Sequence, residues 1–195
     1  PLSNFYLNLA KYLNDDFHSY DTLLAENFYK IDNYTKAKKI YDNLSKQGKA
    51  FAWYSSKQLA KIFLEEKKND KALKLVTDAY NSFAIKDIYE TFDYAEFLKN
   101  NEKFEDSIIF YSKIINEIKK DHPLYAEATD GRGIAYERIG EWDKAEKDLL
   151  ASLEVNPDQA YVINYLAYSW IEQGIKIEKS LKMLEKANKL RSNDP

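Results

Sequence analysis

Chemistry needs side chains that attack, move protons or hold a metal, and this chain of 195 residues has few of them. It has no cysteine, which removes disulfides, thiol nucleophiles and cysteine zinc sites. Its two histidines, His18 and His122, stand far apart in sequence, which excludes a histidine-rich metal site. Nucleophilic catalysis asks for a nucleophile, a base and an orienting group together. His18 beside Ser19 reads instead as a helix-start residue, and His122 before Pro123 as a connector residue. Neighbouring carboxylates, the raw material of general acid–base work, occur at Asp15/Asp16, Glu65/Glu66 and Glu90/Asp93. At helical spacing such pairs read as solvated faces. Gly131-Arg132-Gly133 lacks the third glycine and the preceding strand of a phosphate-cradling loop. Asp143, Asp148 and Asp158 lack calcium-loop spacing. The expectation is a protein without catalytic residues, cofactor or metal, and hence not an enzyme.

What remains is recognition by surface, and the elements that would build such a surface. The chain is 45% hydrophobic, 31% charged and 15% aromatic, too apolar for disorder and long enough for a sizeable core. Five glycines and four prolines are too few for the turns of an all-β sandwich or barrel. A net charge of −3 gives no overall bias toward nucleic acid, and no apolar run reaches membrane-spanning length. The chain opens on Pro1 with no signal-peptide pattern, so its start is read as not native. Localisation stays unknown: cytoplasmic and periplasmic or envelope-associated settings fit equally.

Small residues recur at a fixed interval. Ala25, Ala60, Ala95, Gly133 and Ala167 are spaced 35, 35, 38 and 34 apart, and Ala37, Ala72, Ser107, Ala145 and Ser180 follow in step. Three residues after the first series stand Phe28, Phe63, Leu98, Tyr136 and Trp170; four after the second stand Tyr41, Val76, Tyr111, Leu149 and Leu184. Offsets of three and four are helical. Each unit therefore holds two helices with a polar break between them. Small side chains let helices approach, and large ones a turn away fill the adjoining groove. A lone pair cannot bury both faces, so neighbours must stack.

This pattern resembles the tetratricopeptide-repeat (TPR) family. The fourth unit carries it best, with Gly133-Ile134-Ala135-Tyr136, then Ala145, then Asn156-Pro157. Arg132–Asp194 also resembles a group of bacterial TPR proteins without a settled role. The resemblance implies an all-α, right-handed superhelical solenoid of antiparallel helix pairs. Five units are expected at 18–52, 53–87, 88–125, 126–159 and 160–195, in one continuous domain. Residues 1–17 read as the second helix of a preceding repeat, and Asn193-Asp194-Pro195 as the start of a further connection. The longer third unit is read as extra turns on its second helix, ended by His122-Pro123. An exposed apolar strip is expected on the last helix at Leu181, Met183, Leu184 and Leu190.

In the family the first helix of each unit lines a concave groove. At a spacing of three and four, the groove rows here offer Tyr54, Lys57 and Lys61, then Tyr89, Phe92 and Glu96, then Tyr161, Asn164 and Tyr168 as partner-binding candidates. Lys99 continues the row of the third unit, Glu26 lies in the row of the first unit, and Asp130 and Glu137 lie in that of the fourth. Tyrosine offers a flat face, few torsions and a polar tip. No three consecutive rows supply the Lys/Asn/Arg set with which chaperone-binding TPR domains clamp a terminal carboxylate. Charge is polarised: residues 18–87 hold 13 Lys against 9 acids, and 88–159 hold 9 basic residues against 17 acidic. Lys36, Lys38 and Lys39 cluster on a second helix, solvated or able to steer a partner of opposite charge. The expectation is a protein-interaction module or assembly scaffold, with a protein or peptide partner, no nucleic acid and no transmembrane segment. The alternatives are a substrate-presenting region of a larger enzyme and a self-association spacer, with a homodimer through the exposed terminal helices.

Overall fold

The computed structural model describes residues 2–14 and 17–192. The carboxylate pair Asp15/Asp16 and the connection at Asn193-Asp194-Pro195 lie outside the described residues. The described residues form helices and connectors, with no strand among them. The chain divides into two compact units, Pro1–Lys86 and Asp87–Pro195.

The first unit holds α1 (Leu2–Leu13), α2 (Ser19–Lys30), α3 (Tyr34–Leu44), α4 (Lys49–Glu65) and α5 (Asn69–Ser82). Each packs on the next in chain order. The second unit holds α6 (Ile88–Asn100), α7 (Phe104–Glu117), α8 (Leu124–Arg138), α9 (Trp142–Val155), α10 (Ala160–Glu172) and α11 (Ile177–Ser192). Here too neighbours in sequence pack together, and α6 also touches α8.

The breaks inside the helix pairs share one geometry. Asp32, Lys67, Glu102, Gly140 and Gly174 each take a positive φ, between 57° and 81°. The next amide reaches back five residues, as in Asn33 N–H to Phe28 O at 2.9 Å and Lys68 N–H to Phe63 O at 2.7 Å. The same bond recurs at Lys103, Glu141 and Ile175. This Schellman closure satisfies the orphan carbonyls at the helix end and turns the chain sharply. It explains how a break so poor in glycine still reverses direction.

Both small-residue series face the interior. Ala25, Ala37, Ala60, Ala72, Ala95, Ser107, Ala145, Ala167 and Ser180 are all fully buried. A Cβ added at Gly133 would meet Leu149 Cγ at 3.1 Å and the Ala145 carbonyl at 3.2 Å, so α8 and α9 touch at that point. Gly131 is tighter still: its Cβ would lie 2.6 Å from the Tyr111 ring. Trp170 is fully buried with Ile134, Leu149, Val162 and Leu166 in one core cluster of the second unit.

Two expectations are corrected. α7 ends at Glu117 and has 14 residues, the same as α5 and α9. The extra length of the third repeat therefore lies in the connector, where Ile118 is already extended at φ −112° and ψ 158°. On α11 the apolar strip is narrower than its sequence suggests. Leu181 is exposed, but Met183 packs on the Trp170 cluster, and Leu184 and Leu190 are half-buried. The contact with α10 absorbs them.

Candidate binding face

In the second unit, α6, α8 and α10 are the first helices of their pairs. Asp87 starts α6 with a capping box, accepting the Glu90 amide at 2.7 Å while Glu90 Oε2 accepts the Asp87 amide at 3.1 Å. That cap fixes the register that puts Tyr89, Phe92, Glu96 and Lys99 on successive turns. The imidazole of His122 accepts the Leu124 amide at 3.1 Å on Nδ1, which satisfies a free donor at the start of α8. The His122 ring lies 6.1 Å from that of Tyr89. This histidine is structural.

Charged groups gather below the surface of this face. Glu96 accepts from Lys99 Nζ at 2.6 Å and from the hydroxyl of buried Tyr111. Asp130, half-buried on α8, faces the same group. Its partner is Ser152 Oγ at 3.4 Å, but that hydroxyl lies closer, at 3.0 Å, to the Ala126 carbonyl. A hydroxyl has one proton to give, so Asp130 is weakly solvated by the protein. Burial pushes its pKa up to about 7, and Glu96 and Glu127 push the same way; Lys99 and the Ser152 hydroxyl oppose them. Tyr161 is also raised, by burial and then by Asp130 and Glu96.

The α10 row continues the face. Tyr165 donates to Glu137 Oε2 at 2.6 Å, and Arg138 Nε stands 3.6 Å from the same carboxylate. A cavity of about 350 Å³ opens here, lined by Tyr161, Asn164, Tyr168, Arg138 and Arg191 among others. Tyr161 and Tyr168 are 54% and 56% exposed, and Tyr89 on α6 is 55% exposed.

The nine candidates thus divide. Tyr89, Tyr161 and Tyr168 present open rings, and Asn164 lines the cavity beside two of them. Phe92 packs inward on the Ala95/Tyr111 cluster. Glu96 is occupied by Lys99 and Tyr111. In the first unit Tyr54 is half-buried, its hydroxyl donating to Glu26 and its ring 6.1 Å from Tyr41. Burial, then the Glu26 bond, raises its pKa. Lys57 lies 5.6 Å over the Trp53 ring, while Lys61 is exposed. Sequence reasoning placed Asp130 and Glu137 in the fourth unit's row, from which no candidate was drawn, and missed Arg138, Tyr165 and Arg191. A spacing of three and four marked Asp130 and Glu137; no sequence signal marked Tyr111, a packing-row residue whose hydroxyl reaches Glu96.

This stacked-pair architecture has solved counterparts. A MamA structure from MSR-1 superposes with a TM-score of 0.61 at 18% identity, covering 91% of this chain and 98% of that one. MamA from Desulfovibrio magneticus RS-1 gives 0.67 at 10% identity, covering 91% and 97%. YrrB, described as a TPR protein with an unusual peptide-binding site, gives 0.56 at 16% identity, covering 96% and 93%. The fold is that of the tetratricopeptide-repeat proteins. No protein-family model and no curated protein sequence matches the chain. Among the described residues no helix is long and apolar enough to cross a membrane, and no cluster of three potential metal ligands occurs.

Proposed function

We propose that this protein is a non-enzymatic interaction module whose first-helix faces receive a protein or peptide segment. One observation carries the reading: Tyr89, Tyr161 and Tyr168 stand more than half exposed on first helices whose other large residues are mostly covered. Rings held open on rigid helices bury area on binding at little ordering cost. Asn164 beside them offers both a donor and an acceptor to a peptide backbone. The same chemistry in the first unit falls to Lys61, with Lys57 and Tyr54 behind it. YrrB, a protein of this fold described as having a peptide-binding site, supports the reading by analogy.

Affinity capture with the intact protein tests it. The pair Tyr161→Ala/Tyr168→Ala should lose specific captured proteins while circular dichroism stays unchanged. Lys57→Glu/Lys61→Glu should alter the set in the same way. A capture profile identical for wild type and both variants would remove the binding role from these faces.

A second reading rests on α1, where Phe5, Tyr6, Leu9, Tyr12 and Leu13 are all exposed. A stripe of that size favours association of two copies through terminal helices. Light scattering that shows a monomer at every concentration would dismiss it.

A further inference from the structure

The first unit carries a cleft that the first-helix reading does not use. It opens between the second helices α3 and α5, over α4, and encloses about 720 Å³. Its floor is apolar, formed by Leu59, Phe63 and Leu75, and its rim carries Lys38, Lys39, Lys68 and Lys71. Lys38 and Lys68 converge on Glu66, at 2.6 and 2.8 Å from its two carboxylate oxygens. Lys71 lies over the Phe63 ring at 4.3 Å, and neither it nor Lys39 has a carboxylate partner among the described residues. Two rim ammonium groups are thus left over beside an apolar floor.

We propose that this cleft is a second docking site, for an acidic protein segment that also presents an apolar side chain. Its carboxylates meet Lys39 and Lys71, and its apolar side chain lies on Leu59, Phe63 and Leu75. The chain supplies its own precedent: Glu66 already shows a carboxylate seated between two of these lysines. The rim also includes Asp42, and Glu66 stands next to it. Those carboxylates repel the dense, continuous charge of a phosphate backbone more than the spaced charges of a peptide. An apolar floor serves a side chain and has nothing to offer a phosphate.

The test uses the full chain and a fluorescent peptide of about a dozen residues that mixes Glu and Asp with Leu and Phe. Anisotropy at low salt should show saturable binding that weakens as salt rises. Lys39→Glu/Lys71→Glu should weaken it about tenfold. Lys46→Glu/Lys74→Glu, the same charge change outside the cleft, should stay within about twofold of wild type. Replacing Glu and Asp by Gln and Asn, or Leu and Phe by Ser, should weaken the peptide in each case. Equal losses for the two lysine pairs would reduce the effect to general attraction and overturn the proposal. Stronger binding of a DNA duplex or of phosphatidylserine vesicles, abolished by Lys39→Glu/Lys71→Glu, would reassign the cleft to another class of anion. Sedimentation of the chain alone closes the remaining option. Self-association abolished by that same pair would make a second copy the occupant and refute a separate partner.

Discussion

The two units repeat one helix pair and spend their charged residues differently. In the first, lysines collect on the second helices, where Lys38 and Lys68 share Glu66, while Lys39 and Lys71, the latter over the Phe63 ring, have no carboxylate partner among the described residues. In the second, carboxylates collect on the first helices, where Glu96, Asp130 and Glu137 lie under a row of tyrosines. The surroundings of the groups differ as well. Glu66, with 20% of its side chain exposed, sits between two lysines that hold its pKa down to about 2. Asp130 is half-buried, and burial drives its pKa the other way, to about 7. Similar helix pairs, set by equivalent buried small residues, thus give a lysine-rich second-helix cleft in one unit and a first-helix face over a half-buried carboxylate in the other. Packing residues fix the scaffold, while the residues between them are free to choose a partner.

The largest effect should come from the core of the second unit. Trp170 is fully buried and donates its indole N–H to Glu146 at 2.7 Å. Trp170→Ala should cost about 3–5 kcal/mol, from lost burial and the cavity left behind. Hydrogen exchange should show the loss concentrated in α8 to α11, because a stacked array passes disruption between neighbours. Protection left unchanged in α9 and α11 would contradict the packing described.

Asp130→Asn comes next and acts in the opposite direction. The folded pKa of about 7 stands above the ordinary aspartate value of 3.8. Below about pH 4 both folded and unfolded states hold the proton, and the fold carries no penalty. As pH rises toward 7 the unfolded chain releases that proton first, so stability falls across this window. At about 1.4 kcal/mol per pH unit, the penalty above pH 7 is on the order of 4 kcal/mol. Asparagine cannot ionise, so the variant should be more stable than wild type at pH 8 and nearly equal at pH 4. Thermal melts across that range decide it, and parallel pH profiles would mean that Lys99 neutralises Asp130 fully. Glu66 sets the contrast: its lysine pairs act above the ordinary carboxylate range and fade only as pH falls toward 2.

Ala145→Leu tests the crossings themselves. Ala145 is fully buried against the point where Gly133 brings α8 onto α9. A larger side chain there should destabilise by about 1–3 kcal/mol through overpacking. An unchanged melting temperature would show that the small-residue series marks something other than close approach.

How much of this was legible follows from what kind of residue carries each feature. The helix pairs were readable because Ala60, Ala72, Ala95 and Ala145 recur in register, and a buried crossing admits little but a small side chain. The end of α7 was not readable. Residues 108–120 continue a helical apolar spacing, but nothing in that spacing marks Ile118 as extended. The open tyrosines were legible as a row, yet Phe92 and Tyr54 share that row and are turned into packing or hydrogen bonds by neighbours from other helices. Partners such as Tyr111 for Glu96 lie 15 residues apart on a different helix, beyond any local pattern. Periodicity tells which face a residue occupies, but exposure on that face is decided by contacts across helices.

The finest comparison is between two buried serines. Ser152 in the second unit donates to the Ala126 carbonyl at 3.0 Å and accepts from Gln159 Nε2 at 2.8 Å. Ser55 in the first unit is fully buried too, and its Oγ has no hydrogen-bond partner among the described residues. An unmade bond in the interior costs more than an apolar group of similar size, whereas a made one contributes about 1 kcal/mol. Ser152→Ala should therefore destabilise by about 1 kcal/mol, with Gln159 losing its acceptor. Ser55→Ala should leave stability unchanged or raise it by up to about 1 kcal/mol. Chemical denaturation of the two variants side by side gives the sign directly. If both lose stability equally, Ser55 has an internal partner in solution, and the difference drawn between the two units at these positions disappears.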